Sequence, residues 1–360
     1  MRDLKPGTRL GEFRIEGKIG EGGMAAVYRA TQPSLNRTVA IKVLDTSLQA
    51  DPSFIARFRR EADTVAKLMH PNIVPVYTFG EEGDLLYLVM GYVPGGSLAE
   101  RLGQRLDFPT IGRIIGQVAD ALDYAHQQGV IHRDIKPGNI LLGTDDWALL
   151  SDFGIARMLE GQRLTRPGIG MGTPEYMSPE QGMSDTIDGR SDIYSLGIVL
   201  FELATGRLPF EGETPFATLY QQIHQPLPLP SRINPALSPA LENVILRATA
   251  KRPEDRYQTA EQFKAALEAA IPQAAAPSSP VVSRIRGLLV DLEMGEAASR
   301  PAAASSGTAR AASRPRPASP GAPSPRRTPS LAPLVWALVG IGAALGLLAL
   351  VLALMVALPR

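Results

Sequence analysis

Val130-Ile131-His132-Arg133-Asp134-Ile135-Lys136-Pro137-Gly138-Asn139-Ile140-Leu141-Leu142 is an apolar run that breaks into a polar loop and resumes as a strand. Within one turn the break gathers a carboxylate, an ammonium and a side-chain amide, from Asp134, Lys136 and Asn139. Phosphoryl transfer to a hydroxyl needs these three kinds of group. A carboxylate receives the hydroxyl proton, a cation meets the terminal phosphate, and a hard oxygen binds magnesium. Shortly afterwards Leu149-Leu150-Ser151-Asp152-Phe153-Gly154 adds a second hard-oxygen metal ligand, Asp152, on a neighbouring strand.

Towards the N-terminus, Thr38-Val39-Ala40-Ile41-Lys42-Val43-Leu44 is an apolar strand that holds one lysine. An ammonium there is costly unless a counter-charge or a phosphate meets it. Asp51-Pro52-Ser53 is a helix start signal, and Phe54, Phe58, Val65 and Leu68 follow at helical spacing. Glu61 lies in that helix, and its carboxylate reaching back would hold the Lys42 ammonium towards phosphates. Earlier still, Lys18-Ile19-Gly20-Glu21-Gly22-Gly23-Met24-Ala25-Ala26-Val27-Tyr28 reads as a β-hairpin with a glycine-rich tip. Glycines let backbone N–H groups approach phosphate oxygens with no Cβ in the way.

Taken together, Gly20-x-Gly22, Val39-Ala-Ile-Lys42, His132 to Asn139 and Asp152-Phe-Gly154 resemble the protein-kinase motif set in order and spacing. The resemblance continues through Gly172-Thr173-Pro174-Glu175-Tyr176-Met177-Ser178-Pro179-Glu180, Asp188 to Gly197 and Lys251 to Arg256. It is strongest to the membrane-anchored, eukaryotic-like (Hanks-type) serine/threonine kinases of bacteria. That resemblance implies an α+β, two-lobed fold over residues 13–271: a small antiparallel β lobe with one helix, and a larger helical lobe. ATP would lie between them with Mg2+ or Mn2+.

The resemblance also implies roles. Asp134 would be the catalytic base, Lys136 would contact the γ-phosphate, and Asn139 and Asp152 would bind the metal. Lys42 would hold the α- and β-phosphates and pair with Glu61. Ile19, Gly20, Glu21, Gly22 and Gly23 would form the phosphate loop. Val27, Ala40 and Leu141 would line the adenine slot, with Met90 behind it and the Val93 backbone at the adenine edge. Thr173, Glu180, Asp192 and Arg256 would be structural, the last three as an ion pair and a brace for the catalytic loop. Arg133 before Asp134 resembles kinases controlled by activation-loop phosphorylation, and Thr165 is the expected phosphosite. Two positions depart from the usual pattern: Ala25 replaces the third loop glycine, and Gly91 stands in the hinge where an acidic residue is common.

Composition limits the alternatives. The 360 residues carry a formal net charge of +1, so no general electrostatic case for nucleic-acid binding exists. Absence of cysteine excludes disulfides, Cys-ligated zinc and thiol nucleophiles. Residues 1–12 read as an N-terminal extension with no apolar run of a signal peptide. Residues 272–333, rich in Ala, Pro, Ser and Arg, read as a disordered juxtamembrane linker. Inside it, Val281 to Met294 is open between a short docked element and a sticky patch.

From Leu334 to Leu358 every residue is apolar or glycine, long enough to span a bilayer as one transmembrane helix. Arg314, Arg316, Arg326 and Arg327 precede it, which keeps the catalytic domain cytoplasmic and the C-terminus at the outer face of the cell membrane. Gly342 and Gly346 share one helix face and could support a homodimer, although small residues are common in any span. Proteins are the expected substrates. A non-catalytic scaffold and a small-molecule kinase of the same fold are the rival readings.

Overall fold

The computed structural model of the chain describes residues 3–22, 25–44, 52–83, 85–153, 173–183 and 185–271. Gly23, Thr165, the linker 272–333 and the run 334–358 lie outside them. Among the described residues no helix is long and apolar enough to cross a membrane.

Alternation in the sequence becomes a two-faced sheet. Strands β1 (Arg9–Leu10), β2 (Phe13–Gly22), β3 (Ala25–Gln32), β4 (Arg37–Leu44), β5 (Val76–Glu82) and β6 (Leu85–Gly91) pair antiparallel in the order β1-β2-β3-β4-β6-β5. Side chains of a strand alternate between faces. Val39, Ile41 and Val43 therefore join Leu85, Tyr87 and Val89 in an outer cluster, while Ala40 and Leu44 join Leu86, Leu88 and Met90 in an inner one. The same parity puts Lys42 on the inner face, towards the large lobe.

The outer cluster also contains Leu4, Leu10, Phe13 and Ile15. Residues 3–12, expected as an extension, thus pack against the outer face of the sheet, which they shield from water. Helix α1 (Pro52–Val65) covers the inner face with Phe58 and Ala62, and Phe58 meets Phe79 edge-on with ring centroids 6.0 Å apart.

The large lobe is helical. Its long members are α2 (Phe108–Gln127) and α4 (Gly189–Thr205), with short α3 (Pro179–Met183) between them in sequence. After them come α5 (Pro215–His224), α6 (Pro230–Ile233), α7 (Pro239–Ala248) and α8 (Ala260–Ala270). Local signals set the ends. Asp107 caps α2 by accepting from the Thr110 N–H at 2.8 Å. Asp188 caps α4, and Gly206, at φ +79°, ends it in the left-handed conformation. Helix α4 is buried nearly all round, from Ser191 to Glu202, which makes it the axis of the lobe.

One small hairpin positions the chemistry. Strand β7 (Ile140–Leu142) pairs antiparallel with β8 (Ala148–Leu150), and Ile140 faces Leu150. Asn139, just before β7, and Ser151, just after β8, must then lie side by side, and the Ser151 N–H donates to the Asn139 carbonyl at 2.9 Å.

Candidate active site

The hairpin brings the two polar stretches together, and one histidine locks them. His132 is fully buried. Its Nδ1 accepts from the Asp134 N–H at 3.2 Å, so its Nε2, 2.7 Å from the Ser151 carbonyl, must carry the proton. The ring also packs against Phe153, with centroids 4.6 Å apart. His132 thus ties the loop that carries Asp134 to the backbone just before Asp152.

Asp192 fixes the loop from below. Its Oδ2 accepts from the His132 N–H and from His126 Nε2, both at 2.8 Å, and its Oδ1 accepts from the Arg133 N–H at 2.8 Å. Burial works to push this carboxyl up, but the bonds and charge of His126, with His132, hold it below the usual carboxylate range. The aspartate braces an uncommon backbone, since Arg133 sits at φ +70°. A depressed carboxyl stabilises the fold above its unfolded pKa and loses that contribution as pH falls through its folded value. Asp192→Asn should cost about 2 kcal/mol at neutral pH, and the gap to wild type should close only below about pH 4. Thermal melting across a pH series measures it; a gap unchanged down to pH 2 would refute the charge-based account.

The catalytic-loop side chains form one connected group. Asp134 Oδ2 accepts from Lys136 Nζ at 2.8 Å and from Asn139 Nδ2 at 3.0 Å, while Asn139 Nδ2 also meets the Asp134 carbonyl at 2.7 Å. Both interactions fall on Oδ2, so Oδ1 is the oxygen placed to accept a proton. Using Nδ2 in this way leaves the Asn139 amide oxygen as its acceptor. Lys136 Nζ also lies 3.4 Å from Thr173 Oγ1.

Lys42 comes down from β4 onto Asp152, with Nζ 2.8 Å from Oδ1. Burial would raise the Asp152 carboxyl, but the Lys42 ammonium, helped by His132 and Lys136, holds it below the ordinary range. Asp152 also sits at φ +66°, a second uncommon backbone within the same site. Among the described residues Lys42 is thus ion-paired with Asp152. The physical reason is parity combined with packing. The strand alternation directs Lys42 inward, and the β7–β8 hairpin delivers Asp152 within reach.

Above these groups Ala40 and Met90 face each other across β4 and β6, and Val27, Val93 and Leu141 pack against the same inner cluster. The residues expected to line the adenine slot are therefore gathered in one place. Ile19, on β2, is 50% exposed. A narrow recess lined by Val65, Val74, Val76, Leu88, Met90 and Phe153 runs from Met90 to Asp152. At Gly91 the space is tight: an added Cβ would lie 3.2 Å from the Pro75 ring. Sequence reading missed His126, His132 as a lock, and Gln181, whose Nε2 donates to the Arg133 carbonyl at 2.8 Å. A histidine six positions before His132 was the available signal for the first.

Comparison with known proteins agrees with this arrangement. The protein kinase domain family matches residues 13–267. The chain is 42% identical to the serine/threonine-protein kinase Pkn1 of Myxococcus xanthus over 75% of this chain and 40% of that protein. It is 44% identical to PrkC of Bacillus subtilis (73% and 41%) and 45% identical to PknB of Mycobacterium tuberculosis (69% and 41%). The aligned region thus spans less than half the length of these relatives. The solved kinase domain of M. tuberculosis PknI superimposes with a TM-score of 0.61 at 31% identity, covering 75% of this chain and 100% of that one. A family match over some seven-tenths of the sequence, on a fold with this catalytic loop, places the chain in the protein kinase domain family.

Proposed function

We propose that the chain transfers the γ-phosphoryl group of ATP to serine and threonine hydroxyls of proteins, itself included. The observation that carries the reading is the Asp134 carboxylate, held through Oδ2 by Lys136 and Asn139, which leaves Oδ1 outside both of those bonds. A hydroxyl presented to Oδ1 would give up its proton there as its oxygen attacks phosphorus. Lys136 would meet the γ-phosphate and Lys42 the α- and β-phosphates, with the backbone of Gly20, Glu21 and Gly22 above them. Lys136 next to Thr173, and the names of the relatives, favour serine and threonine as acceptors.

The donor set fits magnesium: the ionised Asp152 carboxylate and the Asn139 amide oxygen are two hard oxygens, and Mg2+ takes the rest of its shell from water and phosphate. When bound, the ion supplies positive charge where the transferred group develops negative charge. Manganese accepts the same oxygen ligands.

Residues 334–358 would anchor this domain as a single transmembrane helix after the linker 272–333. The apolar run and the arginines before it support that reading, with the kinase domain on the cytoplasmic side. The glycines at 342 and 346 support a homodimer through that helix.

Purified chain with γ-labelled ATP and Mg2+ is expected to label itself and a generic basic protein, and to leave aminoglycosides and choline unlabelled. No transfer to any polypeptide would end the enzymatic reading. In the self-labelled protein, phosphopeptide mapping should place phosphate on Thr165, and Thr165→Ala should lower activity towards the added protein. Active enzyme with Thr165 unmodified would refute that assignment.

A further inference from the structure

Residues 3–10 make contacts that the chemistry described above does not use. Leu4 is buried in the outer cluster, and its N–H donates to Tyr28 Oη at 3.2 Å. Tyr28 Oη in turn donates to Asp3 Oδ1 at 3.1 Å, and the same Asp3 oxygen lies 3.3 Å from Lys18 Nζ. Further along, the Gly7 N–H donates to the Ile15 carbonyl at 2.8 Å and the Ile15 N–H to the Thr8 carbonyl at 2.9 Å. Strand β1 then pairs Arg9 with Arg14 and Leu10 with Phe13. The segment is thus stitched to β2 from Phe13 to Lys18 and reaches β3 at Tyr28.

The end point of this stitching is informative. Lys18 and Tyr28 face each other across β2 and β3; the next pair is Gly20 with Val27, and the register slips between the two pairs. Asp3 therefore grips both members of the pair at the register slip that leads into the glycine-rich turn, beyond which Gly20, Glu21 and Gly22 pair with Val27, Ala26 and Ala25. A tip made of Gly20 and Gly22 has no side chains with which to pack itself into place and loses much freedom when ordered. Besides its backbone pairing with β3, its position is set at its base. Lys18 is also bound from the turn side, by Glu21 Oε2 at 3.0 Å, so one ammonium links the strap to the turn.

We propose that residues 3–10 form a strap that positions the phosphate-binding hairpin for ATP, with Asp3 as a positioning residue that acts through Lys18 and Tyr28. This rests on the reading of the β2–β3 turn as the phosphate cradle. The Tyr28 hydroxyl and the Lys18 ammonium hold the Asp3 carboxyl below the usual range, so both links persist at neutral pH. Asp3 is 70% exposed, and exposed ion pairs contribute little to global stability. The expected effect is accordingly local to the hairpin.

In the full chain, Asp3→Ala should raise KM for ATP about three- to tenfold, which corresponds to roughly 0.7–1.4 kcal/mol, with kcat and Tm near wild type. Lys18→Met should do the same, and the double variant should add little to either, because both remove one interaction. Asp3→Glu should recover part of the loss. A merely structural segment would lower Tm and the active fraction, hence kcat, without a selective change in KM for ATP. Wild-type KM in Asp3→Ala, or fully additive effects in the double variant, would overturn the strap while leaving the kinase reading intact. A wild type that turns over no ATP would overturn the cradle and the strap together, before any variant is compared.

Discussion

Asp134→Asn is expected to lower kcat by about 10²–10⁴-fold, the range for loss of a general base, with KM for ATP and thermal stability nearly unchanged. The geometry makes this substitution unusually clean. Asp134 Oδ2 already accepts from Lys136 and Asn139. An asparagine can turn its carbonyl oxygen to those two donors and keep the loop as it is. Its NH2 group then occupies the place of Oδ1, where a proton acceptor is required and a donor is useless. Single-turnover phosphoryl transfer, read alongside nucleotide binding, separates chemistry from affinity. Asp134→Glu serves as a second check: it keeps the charge but moves it along by one methylene, and displacement of that size is costly when reacting atoms must sit about 3–3.5 Å apart. An Asp134→Asn enzyme with the wild-type rate would remove Asp134 from the reaction.

How far this site could be read from sequence depended on the range of each contact. Asp134, Lys136 and Asn139 fall within one turn, so their meeting was legible from spacing alone. The inward aim of Lys42 was legible from strand parity, because Ala40 and Leu44 lie two positions to either side and share its face. The carboxylate that Lys42 meets was not. Parity gives a face and no partner, and the meeting with Asp152 depends on how a distant hairpin docks. His126 was hidden for the same reason: its bond to Asp192 spans 66 residues. The packing of the N-terminal segment was not legible because Leu4 and Leu10 are isolated apolar residues in a polar stretch. Only the completed sheet shows an outer face that needs them.

The second large effect lies far from the chemistry. Arg256→Ala should destabilise the large lobe by about 3–5 kcal/mol, the cost of stripping one partner from a buried ion pair. Arg256 is 1% exposed and uses all five of its N–H groups. Nε donates to the Ala250 carbonyl at 2.7 Å; Nη1 to Glu180 Oε1 at 2.7 Å and the Arg190 carbonyl at 3.0 Å; Nη2 to Glu180 Oε2 and the Lys251 carbonyl, both at 2.8 Å. One side chain therefore joins α3, the start of α4 and the loop after α7. Burial works to raise the Glu180 carboxyl, and the Arg256 guanidinium holds it below the usual range. Without Arg256 that carboxylate keeps the Ser191 hydroxyl, which reaches Oε1 at 2.6 Å, and its own backbone N–H, while three backbone carbonyls lose a donor. Arg256→Lys should fare little better, since an ammonium has three donors and no planar fork. For a lobe of this size, roughly 2–4 °C of Tm per kcal/mol implies a drop of about 6–20 °C. The discriminating variant is the double replacement Glu180→Leu with Arg256→Met. If the single loss is dominated by an uncompensated buried charge, removing both charges should restore part of the stability lost in Arg256→Ala. If carbonyl donors dominate instead, the double variant should be no better than the single one. A melting temperature for Arg256→Ala within experimental error of wild type would sink both accounts, because five donors at these distances cannot be removed from a closed core without cost.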